Sequence, residues 1–221
     1  MTTLPIPALP TLMQAVEQAD SAEALLRATV ALAAVAEPEA AGTLVEVLRF
    51  NNPGAAVAAV DGLIAIGDSA VPALLELDAS NYGARAWAVR ALAGIGAVEG
   101  LAVLEEALAT DVGPSVRRAA ARGLGQLRLE TLPETVRGTT LLRCLQALEA
   151  GSADGEWVVR YAVVVGLERL ALPEPAQRSE RLGVLPRVHS TLLNLAHEAS
   201  EDTPVVRLRA AQALARLQSD D

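Results

Sequence analysis

ARAWAVRALAGIG, residues 84–96, decides the fold. Its apolar residues Ala84, Ala88, Leu92 and Ile95 follow the i, i+4, i+8, i+11 spacing that lines one face of an α-helix. The pattern returns in AAVAAVDGLIAIG (55–67), SVRRAAARGLGQL (115–127), VVRYAVVVGLERL (158–170) and VVRLRAAQALARL (205–217), with a weaker copy, ALLRATVALAAVA, at 24–36. One leucine keys each copy: Leu32, Leu63, Leu92, Leu124, Leu167 and Leu214. They recur about every 30 residues early in the chain and about every 45 later, the period of helix-pair repeats. Second apolar helices are predicted between them at 43–50, 70–78, 100–109, 140–150 and 184–199. Gly67 and Gly96 stand where C-terminal caps do. Asn81, Asp111 and Asp202 occupy turn or capping positions before the next helices. The expected fold is therefore all-α: an α-solenoid of antiparallel helix pairs, about five to six repeats. It is read as one domain over 1–221, with 1–20 an extended N-terminal segment and longer loops near 130–138 and 171–183.

Composition narrows the function. The chain is 52% hydrophobic but only 2% aromatic, which favours closely packed helices over strands. A formal net charge of −9 argues against a nucleic-acid binder, which needs a basic footprint. All 18 basic residues are arginine, so Schiff-base lysine chemistry is excluded. Cys144 is the single cysteine, which rules out an internal disulfide and fits a reducing compartment. The start MTTLPIPALP, without a basic n-region followed by an apolar stretch, is not expected to be a secretory signal. The apolar stretches are interrupted by Arg27, Glu37, Asp61 and Asp68, so none is read as a membrane span. The expectation is an acidic intracellular protein without membrane insertion.

Arg85, Arg117, Arg160 and Arg207 share one repeat position, and a residue that recurs with the repeat usually serves its geometry. Arg118 and Asn81 are placed with this ladder or a partner surface. The other flank of helix 84–95 differs. With Ala88 at the centre of the buried face, Trp87 lies about 100° away, and Gly83, Arg90 and Gly94 lie beside it. Glycines here would open space around Trp87 and Arg90, making a ledge for a ligand. The positions matching Arg90 include Asp61 and Arg122, and Tyr82 and Trp157 match each other just before their helices. Tyr82, Trp87, Arg90, Asp61, Arg122 and Trp157 are therefore the candidate ligand-binding residues. Two plainer readings stand beside this one: Trp87 as a wedge between repeats, and the charges as a solvated face.

Familiar catalytic and metal motifs are missing. His189 and His197 are eight apart with no cysteine near, so no metal site is expected. Cys144 in LLRCLQAL reads as a buried filler. No glycine-rich nucleotide loop and no nucleophile–base constellation can be assembled, and no catalytic residue is assigned.

The arginine ladder resembles that of HEAT repeats, where an arginine and a preceding acidic residue tie adjacent units together. The stretch NYGARAWAVRALAGIG (81–96), followed by SVRRAAARGLGQL, resembles the phycobilin lyases of the E/F type, cyanobacterial HEAT-repeat proteins, most like the F-type subunit of the phycocyanin α-subunit phycocyanobilin lyase. The close match covers residues 68–127. It implies a heterodimer with a larger E-type HEAT subunit and no permanent cofactor. The substrate would be phycocyanobilin, an open-chain tetrapyrrole. It would be joined by a thioether to a cysteine of the apo-phycocyanin α subunit, and also detached or transferred. A flat bilin would stack on Trp87 or Tyr82, its propionates would meet Arg90 and Arg122, and its pyrrole N–H groups would meet Asp61. Lyase-isomerase relatives carry an Asn-His-Cys-Gln-Gly-Asn type motif. Here Cys144 is flanked by Arg143 and Leu145, so attachment without isomerisation is expected. The implied location is the cyanobacterial cytoplasm. The competing expectation is a non-catalytic HEAT adaptor or chaperone in phycobilisome assembly or turnover.

Overall fold

The computed structural model describes residues 8–78, 80–172 and 183–219. Every regular element among them is helical. Their contacts form two compact units, 1–95 and 96–221.

The first unit contains α1 (Leu9–Glu17), α2 (Ala22–Ala33), α3 (Ala41–Val47), α4 (Pro53–Ile66), α5 (Val71–Leu75) and α6 (Tyr82–Ile95). The extended N-terminal reading is corrected for 9–17. Pro10 sits in the first turn of α1, where its missing N–H costs nothing, and Leu12 and Val16 are buried. Residues 1–7 lie outside the described residues. α2, α4 and α6, the helices of the repeated motif, pack side by side, while α1 and α3 pack against α2 and α4. The key leucines Leu32, Leu63 and Leu92 are buried, each contributing about 1.5–3 kcal/mol. Small residues bring the backbones close: a Cβ at Gly62 would lie 2.6 Å from the Cβ of Ala33. Asparagines start two of these helices. Asn52 Oδ1 accepts from the Ala55 N–H at 3.1 Å, and Asn81 Oδ1 accepts from the Ala84 N–H at 3.1 Å. Asn52 Nδ2 also donates to the Ala22 carbonyl at 2.8 Å, tying α4 to the start of α2.

The run Pro53–Leu75 is, by length and composition, apolar enough to cross a bilayer, contrary to the sequence expectation. It is nonetheless two helices. Gly67 takes φ +76°, a conformation suited to glycine, and ends α4 with its N–H on the Leu63 carbonyl. Ala55, Ala56, Ala59, Leu63, Val71 and Leu74 from this run are buried within the unit.

The second unit contains α7 (Leu101–Thr110), α8 (Pro114–Leu124), α9 (Glu134–Gly151), α10 (Trp157–Ala171), α11 (Leu185–Ala196) and α12 (Pro204–Ser219). α8, α10 and α12 form one layer; α7, α9 and α11 pack against it and tie into pairs with α8, α10 and α12. The two units together hold six helix pairs among the described residues, as expected from the repeat. The loop expected at 130–138 is shorter: Leu129–Thr131 form a 3-10 turn, and α9 begins at Glu134 after Pro133. α10 ends at Ala171, and most of the second expected loop, residues 173–182, lies outside the described residues. α8 and α10 approach closely: a Cβ on Gly125 would lie 2.4 Å from the Gly166 carbonyl oxygen, and one on Gly166 2.5 Å from that of Ala121.

Candidate functional site

Several arginines are held by acids and by backbone carbonyls. Arg117 makes a bidentate pair with Asp154, Nε to Oδ2 at 2.7 Å and Nη2 to Oδ1 at 2.9 Å, and its Nη1 donates to the Asp111 carbonyl. Arg160 repeats this one unit on, with Nε and Nη2 on Glu201 at 2.6 and 2.7 Å and Nη1 on the Asp154 carbonyl. Arg207 donates to the Glu201 carbonyl at 2.8 Å. Each arginine thus reaches back six residues to its own turn, and Arg117 and Arg160 also reach forward to the acid of the next. Three of the four arginines at the shared repeat position make equivalent backbone contacts. The residue six before Arg85 is 79, outside the described residues. Glu201 is 2% exposed, and the Arg160 guanidinium holds its carboxyl down at about 2. The hydrogen bond from Arg117 likewise lowers the Asp154 carboxyl. Asp111 shapes a turn, accepting from the Gly113 N–H, rather than capping α8. Asp202 accepts from Arg160 at 3.1 Å.

The sequence reading misses a second ladder. Arg143 on α9 pairs with Glu105 on α7, and Arg187 on α11 pairs with Glu149 on α9. The signal was an equal spacing of 38 residues between acid and arginine in both pairs.

On the other flank, Trp87 and Arg90 are in contact: the guanidinium carbon lies 4.3 Å from the indole ring centre, a cation–π pair. Both are half-buried. The expectation that both glycines open this ledge is half right. Around Gly83 a Cβ would meet only Asn81 Oδ1, at 3.7 Å, whereas at Gly94 it would lie 2.4 Å from Ile64 Cδ1. Gly94 serves the packing of α6 on α4. Asp61, one turn before Ile64 on α4, is exposed. Tyr82 is the first residue of α6, not the residue before it, and is 78% exposed. Five residues from Trp87, it lies about 140° around the helix, away from the ledge.

In the second unit Trp157 is likewise the first residue of its helix, where α4, α8 and α12 place proline. It meets Arg122 in a groove of about 310 Å³ lined also by Arg118, Tyr161, Ala162 and Val205. The structure moves Arg118 from the ladder to this groove: it is exposed, next in sequence to Arg117 but about 100° around α8. Tyr161, which the sequence reading passes over, joins because it stands one turn after Trp157 on the same face. The larger cavity of the first unit, about 780 Å³, is lined by Glu17, Asp20 and Glu46 and no arginine, the wrong sign for an anionic ligand.

Cys144 is fully buried, and burial pushes its thiol up to about 12. His197 follows the end of α11 and accepts from the Ala199 N–H, so the two histidines do not share a helix face. Among the described residues no three His, Cys, Asp or Glu side chains converge as a metal-binding group.

Comparison with known proteins agrees with this architecture. A family model described as HEAT repeats matches residues 72–168. The chain is 55% identical over 166 residues to phycocyanin alpha phycocyanobilin lyase CpcF of Synechocystis sp., covering 75% of this chain and 78% of that one. It is 46% identical to phycocyanobilin lyase subunit beta of Thermosynechococcus vestitus, over 92% of this chain and 93% of that protein. Among solved structures, the complex of CpcE and CpcF of phycocyanin lyase from Nostoc sp. matches with a TM-score of 0.69 and 40% identity, covering 80% of this chain and 99% of the matched one.

Proposed function

This chain belongs to the HEAT-repeat phycobilin lyases of the E/F type, and from that premise we propose that it is the F-type subunit of a heterodimeric lyase. The lyase binds phycocyanobilin and attaches it through a thioether to a cysteine of the apo-phycocyanin α subunit, and it detaches or transfers the same group. The partner is an E-type HEAT subunit, and the setting is the cyanobacterial cytoplasm.

The observation that carries the site assignment is the Trp87–Arg90 stack. The indole fixes the Arg90 guanidinium through the cation–π contact, and a planar guanidinium fork is the group whose geometry suits a propionate. Asp61, exposed on the neighbouring α4, accepts from the pyrrole N–H groups. Arg122 and Trp157 supply the same two chemistries in the second unit, and Tyr82 gives an exposed aromatic face.

Thioether formation adds the acceptor's S–H across a carbon–carbon double bond of the bilin. The S–C bond forms, the thiol proton ends on the neighbouring carbon, and nothing is oxidised or expelled. The nucleophile comes from the acceptor, so the lyase contributes position: it holds a reactive, flexible ligand in one geometry and lowers the entropy lost on reaction.

The test is co-expression of this chain with an E-type partner, the apo-phycocyanin α subunit and phycocyanobilin. A covalent fluorescent adduct that disappears when this chain is omitted is expected. Failure to form it, where an established F-type subunit succeeds in the same system, would overturn the reading and leave the adaptor role.

A further inference from the structure

We propose that the groove between α8 and α10 is a carboxylate-reading subsite that takes one propionate-bearing end of the bilin, with Arg118 and Arg122 as its anion receptor and Trp157 and Tyr161 as its stacking wall. This rests on the lyase reading above and assigns a place and a recognition chemistry within it.

The argument begins with charge. The chain holds 27 acidic residues against 18 arginines, so a guanidinium has carboxylates to choose from. Arg117, Arg143, Arg160, Arg187 and Arg209 are all engaged by them. Arg118 and Arg122 have no acidic partner among the described residues, although they stand one turn apart on α8 and face the same groove. Two guanidinium groups held side by side repel each other, and an incoming anion relieves that repulsion.

The opposite wall has matching spacing. Trp157 and Tyr161 are one turn apart on α10, and Ala162 and Val205 complete an apolar lining. Trp157 is 45% exposed, and among the described residues no guanidinium covers its ring, in contrast to Trp87. Flat aromatic surface beside paired arginines suits a conjugated ring that carries a carboxylate. The groove's 310 Å³ lies at the lower end of the roughly 300–1,000 Å³ typical of ligand pockets, so it holds one end of a tetrapyrrole, not the whole. By repeat position Arg122 matches Arg90, so the groove carries a guanidinium at the same place in its repeat.

The experiment uses the heterodimer with an E-type subunit and two probes, phycocyanobilin and its propionate dimethyl ester. Binding is followed by bilin absorbance and attachment by adduct fluorescence. The wild-type complex should prefer the diacid. Arg118→Gln/Arg122→Gln should bind the diacid at least about tenfold more weakly while leaving the ester unchanged, and Arg118→Lys/Arg122→Lys should recover part of the loss. Trp157→Ala should weaken both probes. An unchanged diacid-to-ester preference in the glutamine variant, with normal attachment, would overturn the subsite while leaving the lyase function standing. Loss of the E-type partner with that preference retained would also overturn it and make the groove a subunit contact. If the wild-type complex binds neither probe and makes no adduct, the lyase reading falls and takes the subsite with it.

Discussion

Gly166 separates packing from ligand chemistry at the residue scale. It lies in the middle of α10, where a glycine lowers helix stability, and is there because the Ala121 carbonyl passes 2.5 Å from where its Cβ would be. Gly166→Ala should therefore destabilise the chain by about 1–3 kcal/mol, because backbone cannot move aside as a side-chain tip can. Thermal melting checks this, and an unchanged midpoint would mean that α8 and α10 lie further apart. Trp87→Ala and Arg90→Ala should do the reverse, lowering bilin transfer by about tenfold or more with little change in helical circular dichroism. If either variant unfolds while its folded fraction transfers normally, the residue is a repeat wedge. The pairing of Trp87 with Arg90 was legible from their three-residue spacing on one helix face. The purpose of Gly94 was not, because its reason is Ile64 on a neighbouring helix, and one helix's periodicity carries no information about the next. Tyr161 escaped for a similar reason: nothing in its own segment marks it until α8 brings Arg118 and Arg122 opposite.

Two arginine ladders tie the second unit together at the scale of elements. One was readable because its arginines occupy a single repeat position; the other needed pairs 38 residues apart to be seen as contacts. The same scale explains the boundary errors. Residues 134–138 read as loop from their polar sequence, yet they extend α9, since Pro133 can precede a helix that it could not interrupt. The Arg160–Glu201 rung is the most enclosed part of the ladder, its carboxylate 1% exposed. Glu201→Gln removes the charge partner but leaves Arg160 its bonds to Asp202 and the Asp154 carbonyl, and should cost about 1–3 kcal/mol at neutral pH. The pH dependence follows from the direction of the shift. Glu201 titrates near 2 when folded, against roughly 4.3 unfolded, so its contribution is complete above the unfolded value and is lost as pH falls from about 4 toward 2. The lowered Asp154 carboxyl adds to the same trend. Urea unfolding of wild type and Glu201→Gln across pH 7 to 3 should show the stability gap narrowing toward acid. A constant gap would mean that the rung is not what the variant loses.

For the whole molecule, the missing catalytic motifs and the six helix pairs make one argument. The family's reaction needs a thiol, a flat polyene and a surface that holds them together. The one thiol of this chain, Cys144, is fully buried and pushed up to about 12, so at neutral pH it is neither accessible nor ionised. The all-α repeat was legible from periodicity because its key leucines and small residues recur in register, whereas the ligand-facing residues differ from repeat to repeat and carry no period. If the chain acts by positioning, its own sulfur should be dispensable. Cys144→Ala in the heterodimer should attach phycocyanobilin to the apo-phycocyanin α subunit at the wild-type initial rate. Its cost should be to stability alone, about 1 kcal/mol for the small void left in the core. Native wild-type complex should also resist a thiol-alkylating reagent at pH 8 and react fully once unfolded. A parallel loss of attachment in Cys144→Ala, with its melting midpoint little changed, would place the bilin on this chain's own cysteine during transfer and replace a positioning mechanism with a covalent relay.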